Sequence, residues 1–247
     1  MEEARVSLKE TYDRDFYHGQ SKGSVRAAQL ILPYVLQAVG SPRTVLDIGC
    51  GVGTWLRVLQ DLIPDVKILG VDHPDVPQDL LMISKDEFVG RDLRKEIDLG
   101  SRFEIVMSLE VAEHIDNKYA GVFIDNLTRH SDRILFSAAI PGQRGDDHVN
   151  ERWPSFWIDL FAQQGFLCND FIRPEIWDNA EISFWYRQNT MLFTSARLAL
   201  RGEHRSFGGA NLAHPELLAR SLRRQNSVKE ALRALRKAIL RNLRLVR

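Results

Sequence analysis

Asp47-Ile48-Gly49-Cys50-Gly51-Val52-Gly53-Thr54 places an acid just ahead of three glycines at alternate positions. Glycines spaced this way permit a tight turn and the close approach of a ligand to backbone N–H groups. Two phosphate-binding turns are set aside by the neighbouring residues. No lysine follows as a Walker loop requires, and Thr54 stands where a dinucleotide fingerprint has its third glycine. Asp47 would repel a pyrophosphate, whereas it suits a ligand with a cationic amino-acid end. Asp72 closes Leu69-Gly70-Val71-Asp72, nineteen residues beyond Gly53, where an acid can accept both hydroxyls of an adenosine ribose. Asp92, after the apolar step Phe88-Val89-Gly90, can accept from an adenine amino group. Asp47, Asp72 and Asp92 at three successive strand ends describe a site for a nucleoside with a positive neighbour.

A second constellation is Glu110-Val111-Ala112-Glu113-His114, after the next apolar run. If these residues open a helix, Glu110, Glu113 and His114 share one face. Two carboxylates and an imidazole suit a hard divalent ion such as Mg²⁺ or Mn²⁺. Gly145-Asp146-Asp147-His148 brings His148 towards the same mouth, so the candidate metal ligands are Glu110, Glu113, His114 and His148. Such an ion would lower the pKa of a hydroxyl that it holds. Without an ion, His148 or His114, with Glu113 beside them, could take a proton, since imidazole titrates near neutral pH. The remaining histidines read as surface or structural.

These groups need a frame. Thr44–Ile48, Val66–Val71, Phe103–Leu109 and Arg133–Ala139 are apolar runs of strand length. Phe166–Ile172 and Asn189–Ser195 close the pattern. Between the strands lie helical spacings at 55–62, through Thr128 and at Trp153–Gln164, preceded by Ser24–Ala38 with Pro33 as a kink. Alternation of this kind predicts an α/β, doubly wound, mostly parallel sheet with helices on both faces. Ligands of such sheets bind beyond the carboxyl ends of the strands, where both constellations fall. Residues 1–23 read as an irregular leader whose Tyr12, Phe16 and Tyr17 could close over a ligand. Trp153, Phe156, Trp157, Trp177, Phe184, Trp185 and Tyr186 read mainly as packing between helix and sheet.

The 247 residues, 44% hydrophobic and 27% charged, suffice for one large domain with additions and exclude a disordered chain. Two cysteines without a CxxC exclude a disulfide scaffold and, with no signal-peptide pattern, predict a reducing cytoplasm. The net charge of zero hides a division. From Arg201 onward twelve Lys/Arg stand against three acids, which leaves 21 basic and 30 acidic residues before it. Val228, Leu232, Leu235, Ile239, Leu243 and Val246 form one stripe among these cations, predicting a basic amphipathic helix in a tail from 201 to 247. An anionic membrane surface, on the inner face, is the partner such a helix fits. The acidic body argues against nucleic acid.

The stretch Val45–Thr54, with Asp72, Asp92 and Ser108-Leu109-Glu110, resembles the class I S-adenosylmethionine-dependent methyltransferases over about residues 24–195, within a domain expected at 24–200. More narrowly, Phe136–Gly142 and His148–Pro154 look like a bacterial subgroup of small-molecule or glycan methyltransferases. The resemblance implies a seven-stranded Rossmann-like fold with S-adenosylmethionine bound by Asp47, Gly49, Gly51, Gly53, Asp72, Asp92, Leu93 and Leu109. The Glu-x-x-Glu-His pattern is similar to metal-assisted O-methyltransferases. Methylation of an oxygen on a small molecule or glycan is therefore expected. The alternatives are a metal-dependent RNA 2′-O-methyltransferase and a catalytically silent cofactor-binding scaffold.

Overall fold

The computed structural model describes residues 14–198 and 209–225. The chain forms two compact units, 1–212 and 213–247.

In the first unit the order is helix α1 (Arg14–Val39), β1 (Thr44–Ile48), α2 (Thr54–Leu62), β2 (Lys67–Asp72), β3 (Phe88–Gly90) and β4 (Ile105–Leu109). Next come α3 (Ala120–His130), β5 (Arg133–Ser137), α4 (Pro154–Gln163), β6 (Phe166–Asn169), α5 (Ile172–Ile176), α6 (Phe184–Asn189) and β7 (Met191–Ser195). The seven strands lie in the order β3-β2-β1-β4-β5-β7-β6, with β7 antiparallel to both neighbours and every other pairing parallel. The chain order reverses between β1 and β4. That opens a crevice at their carboxyl ends, the place where open α/β sheets take ligands.

Strand residues alternate between two cores, as the two-residue period of a strand requires. Val45, Ile68, Ile105, Met107 and Leu135 pack with α1 and α2. Leu46, Val71, Val106, Ile134 and Phe136 pack with α3 and α4 on the other face. There Phe136, Phe161 and Phe193 are fully buried, with Phe161 stacked on Phe193 at 4.0 Å between ring centroids. Ring pairs of this kind add ~0.5–1.5 kcal/mol beyond their buried area.

Three expectations are corrected. The leader is not irregular from residue 14: α1 begins at Arg14 and runs through Pro33. Tyr12 lies outside the described residues, and Phe16 and Tyr17 belong to α1. Nor does one helix run from Glu110 to Thr128. A 3₁₀ turn at Ala112–His114 and another at Asn117–Tyr119 precede α3. Trp153 does not lie within a helix; it precedes α4 and stays 40% exposed, while Trp157 is buried.

Of the second unit, Pro215–Gln225 forms α7, with Leu218 and Leu222 exposed beside Arg220, Arg223 and Arg224. The stripe from Val228 to Val246 lies outside the described residues. Among the described residues no helix is long and apolar enough to cross a membrane.

Candidate active site

The turn after β1 is built on left-handed backbone: φ is +88° at Gly49, +53° at Gly51 and +82° at Gly53. At Gly49 a side chain is excluded twice over, because a Cβ would fall 2.4 Å from Val111 Cγ2. The N–H of Gly51 donates to Asp72 Oδ2 at 2.6 Å, and that of His73 to Oδ1 at 2.6 Å. The turn and the end of β2 are thus locked together through one carboxylate.

Asp47 is buried at the end of β1, and burial first, then the charge of Asp72, pushes its carboxyl well above the usual range. Asp72 is also raised by burial, against the lowering effect of its two backbone donors. No Lys or Arg pairs with either acid among the described residues. Two adjoining acids that lack a cation form a place where a positive ligand is stabilised.

Asp92 behaves differently. Arg94 grips both its oxygens, Nε at 2.8 Å and NH2 at 2.9 Å, and holds the carboxyl below its ordinary value. Of the three acids expected to converge, Asp47 and Asp72 interact through their charges, while Asp92 is paired with Arg94. Leu93 and Leu109 are nearly buried, in the two cores on opposite faces of the sheet.

Beyond β4 the chain turns sharply at Glu110, whose φ is +57°. Its N–H reaches both the carbonyl and the Oγ of Ser137 on β5, at 3.0 Å each. The Glu110 carboxylate accepts from Gln143 Nε2 at 2.8 Å and Asn189 Nδ2 at 3.0 Å. Glu113, His114 and His148 come together, each offering one ligand atom within 4.8 Å of the others. Glu110, the fourth expected ligand, is not in that set; its carboxylate is held by the two amides, while its charge still acts on Glu113 and His148.

Glu113 is completely buried and neither carboxyl oxygen has a hydrogen-bond partner. Burial and the neighbouring Glu110 push its pKa well up. His114 is lowered to about 4, chiefly by burial and then by His148, whose ring lies edge-on with centroids 4.9 Å apart. His148 Nε2 is 4.0 Å from Glu113 Oε1, and Nδ1 is 2.9 Å from Glu151 Oε1. Val149 and Asn150 donate their N–H groups to the Glu113 carbonyl at 2.9 Å, pinning the His148 loop to the 3₁₀ turn.

Glu151, Gln143 and Asn189 were not singled out from sequence. The spacing His148-x-x-Glu151 was there to be read. Gln143 and Asn189 carried no local signal, being 33 and 79 residues from the carboxylate they hold. A cleft of about 690 Å³ at the opposite end of the sheet contains none of these residues. Its Arg102 and Arg129 are committed to Asp132 and Glu96.

Asp47 and Asp72 thus stand at the carboxyl ends of β1 and β2, and the cluster of Glu113, His114 and His148 lies beyond the end of β4. A putative methyltransferase, 235L, of Invertebrate iridescent virus 6 is 25% identical over 152 residues, 57% of this chain and 55% of that protein. The match thus spans about half the length of that curated relative. Among solved structures, the sugar N-methyltransferase KedS8 from Streptoalloteichus sp ATCC 53650 superposes with a TM-score of 0.59 at 16% identity. It covers 79% of this chain and 96% of KedS8. Human N-acetylserotonin methyltransferase, solved with S-adenosylmethionine, gives a TM-score of 0.50 at 14% identity over 77% of this chain and 60% of that one. Both likenesses are of fold. Residues 20–167 match the family described as a methyltransferase domain, and with more than half its length inside that match the chain belongs to this family.

Proposed function

We propose that the protein transfers a methyl group from S-adenosylmethionine to a hydroxyl oxygen of a small molecule or glycan. The observation that carries the reading is the pair of buried Asp47 and half-buried Asp72, with no Lys or Arg partner among the described residues, beside a turn in which Gly49 and Gly53 leave no room for a side chain. A cationic nucleoside fits it. When bound, that cofactor supplies an electrophilic methyl carbon on a sulfonium. Asp72 keeps lone pairs for the ribose hydroxyls, Asp47 faces the cationic amino-acid end, and Gly49, Gly51 and Gly53 let the backbone approach. Leu93 and Leu109 line the pocket. Asp92, on the adenine side, acts with Arg94 already on its carboxylate.

On the acceptor side His148 would take the hydroxyl proton at Nε2. His114 stays neutral beside it. Holding the two reactants in line accounts for much of the acceleration in such a displacement. A second reading is favoured by one observation, the grouping of Glu113, His114 and His148 about an unpartnered buried carboxyl. Those three would hold a Mg²⁺ or Mn²⁺ ion that makes the hydroxyl more acidic. Turnover that survives exhaustive chelation would remove the ion.

The deciding experiment is incubation of the protein with cell extract and isotopically labelled methyl donor, followed by mass spectrometry. Label on the oxygen of a small hydroxylated product or glycan is expected. Label in RNA would favour the RNA methyltransferase instead. Cofactor binding with no labelled product would leave a silent scaffold.

A further inference from the structure

We infer that Glu151 is the positioning residue for His148: it fixes the ring so that Nδ1 carries the proton and the lone pair is left on Nε2, the nitrogen that faces Glu113. The inference rests on the reading of His148 as the group that meets the acceptor.

Glu151 gathers three donors from one loop. Its Oε2 accepts from Gly142 N at 2.8 Å; its Oε1 accepts from Arg144 N at 2.5 Å and faces His148 Nδ1 at 2.9 Å. A carboxylate only accepts, and both Glu151 oxygens already take backbone N–H groups, so the imidazole nitrogen facing Oε1 is the donor. A neutral ring with its proton on Nδ1 has its lone pair on Nε2. That nitrogen lies on the Glu113 side, 4.0 Å from Oε1.

The loop is shaped for this contact. Arg144 and Asp147 adopt φ of +58° and +55°, left-handed backbone that is uncommon for a residue such as arginine. One of the bonds that hold this loop is the Arg144 amide to Glu151. Gly145 completes the seat, since a Cβ there would fall 2.1 Å from His148 Nε2. Only a residue without a side chain lets the ring lie where Glu151 draws it. Glu151 thus acts through His148, setting which nitrogen works.

The test is nitrogen NMR of the full chain, labelled with ¹⁵N-histidine and held at one mildly alkaline pH. Loss of a signal in His148→Asn assigns the residue. The wild-type ring is expected as the Nδ1–H tautomer, and Glu151→Gln, which offers an amide in place of one acceptor oxygen, is expected to give a mixture of tautomers. Calorimetry with S-adenosylmethionine should find the affinity of Glu151→Gln within about threefold of wild type, a change of ~0.7 kcal/mol or less. A wild-type proton on Nε2 overturns the inference even if the variant fails to fold. An unaltered tautomer in Glu151→Gln, or loss of cofactor binding in that variant, also overturns it. A wild-type protein that does not bind S-adenosylmethionine would instead defeat the functional proposal and leave the tautomer result standing.

Discussion

A carboxylate withdrawn from water with no cation beside it holds its proton more tightly than in water, and buried Asp47 and half-buried Asp72, unpaired with Lys or Arg among the described residues, are raised in this way. A cationic ligand reverses that penalty. Removing the charge of Asp72 removes both this attraction and the acceptor for the ribose. Asp72→Asn should weaken S-adenosylmethionine binding by calorimetry ~10- to 100-fold, as a charge-assisted hydrogen bond is worth ~1.5–3 kcal/mol. Unchanged affinity would take Asp72 out of the site. His114 gives a prediction of stability. Its folded pKa is lowered to about 4 from 6.5, so between those values the unfolded chain binds the proton and the folded one does not. Stability from this group therefore falls as the pH drops through that window. His114→Gln should flatten this part of the denaturation profile; parallel profiles would refute the burial. Asp47 works with opposite sign, because its raised carboxyl costs the ligand-free fold stability as the pH climbs above the ordinary carboxylate range.

At the scale of elements, the β1–α2 turn depends on glycine because two constraints meet at one atom. Gly49→Ala would place a methyl against Val111 and ask alanine to hold φ near +88°. A loss of ~1–3 kcal/mol in chemical denaturation is expected from overpacking alone. Cofactor binding should fall with it, and a variant as stable and as tight-binding as wild type would show that the turn relaxes freely. The β4 exit shows why periodicity misleads here. Glu110, Glu113 and His114 have helical spacing, yet Ser137 on the neighbouring strand captures the Glu110 amide. Gln143 and Asn189 capture its carboxylate. Local spacing carries no trace of these distant partners, so the shared helical face disappears while Glu113, His114 and His148 still meet.

For the whole molecule, charge is divided between an acidic body and a basic tail. The described start of that tail, α7, already sets exposed Leu218 and Leu222 beside arginines. We expect full-length protein to float with phosphatidylglycerol-rich vesicles, to be released by high salt, and to lose binding when 222–247 is deleted. Retained binding after deletion would reject the tail as a lipid contact. By itself the sequence determined the α/β alternation, the glycine turn and the acids at strand ends, because these follow from residue periods and from backbone freedom that is local. Glu151, whose spacing from His148 was available, gained its meaning only once the loop was folded around it. Tertiary structure alone decided that Asp47 and Asp72 act on each other while Asp92 goes to Arg94, and that the Glu110 carboxylate is held by Gln143 and Asn189. The physical reason is that burial and hydrogen-bond partnership are properties of neighbours in space. Those neighbours are supplied by strands and loops tens of residues away, and no local pattern encodes which of several eligible partners a buried carboxylate will find.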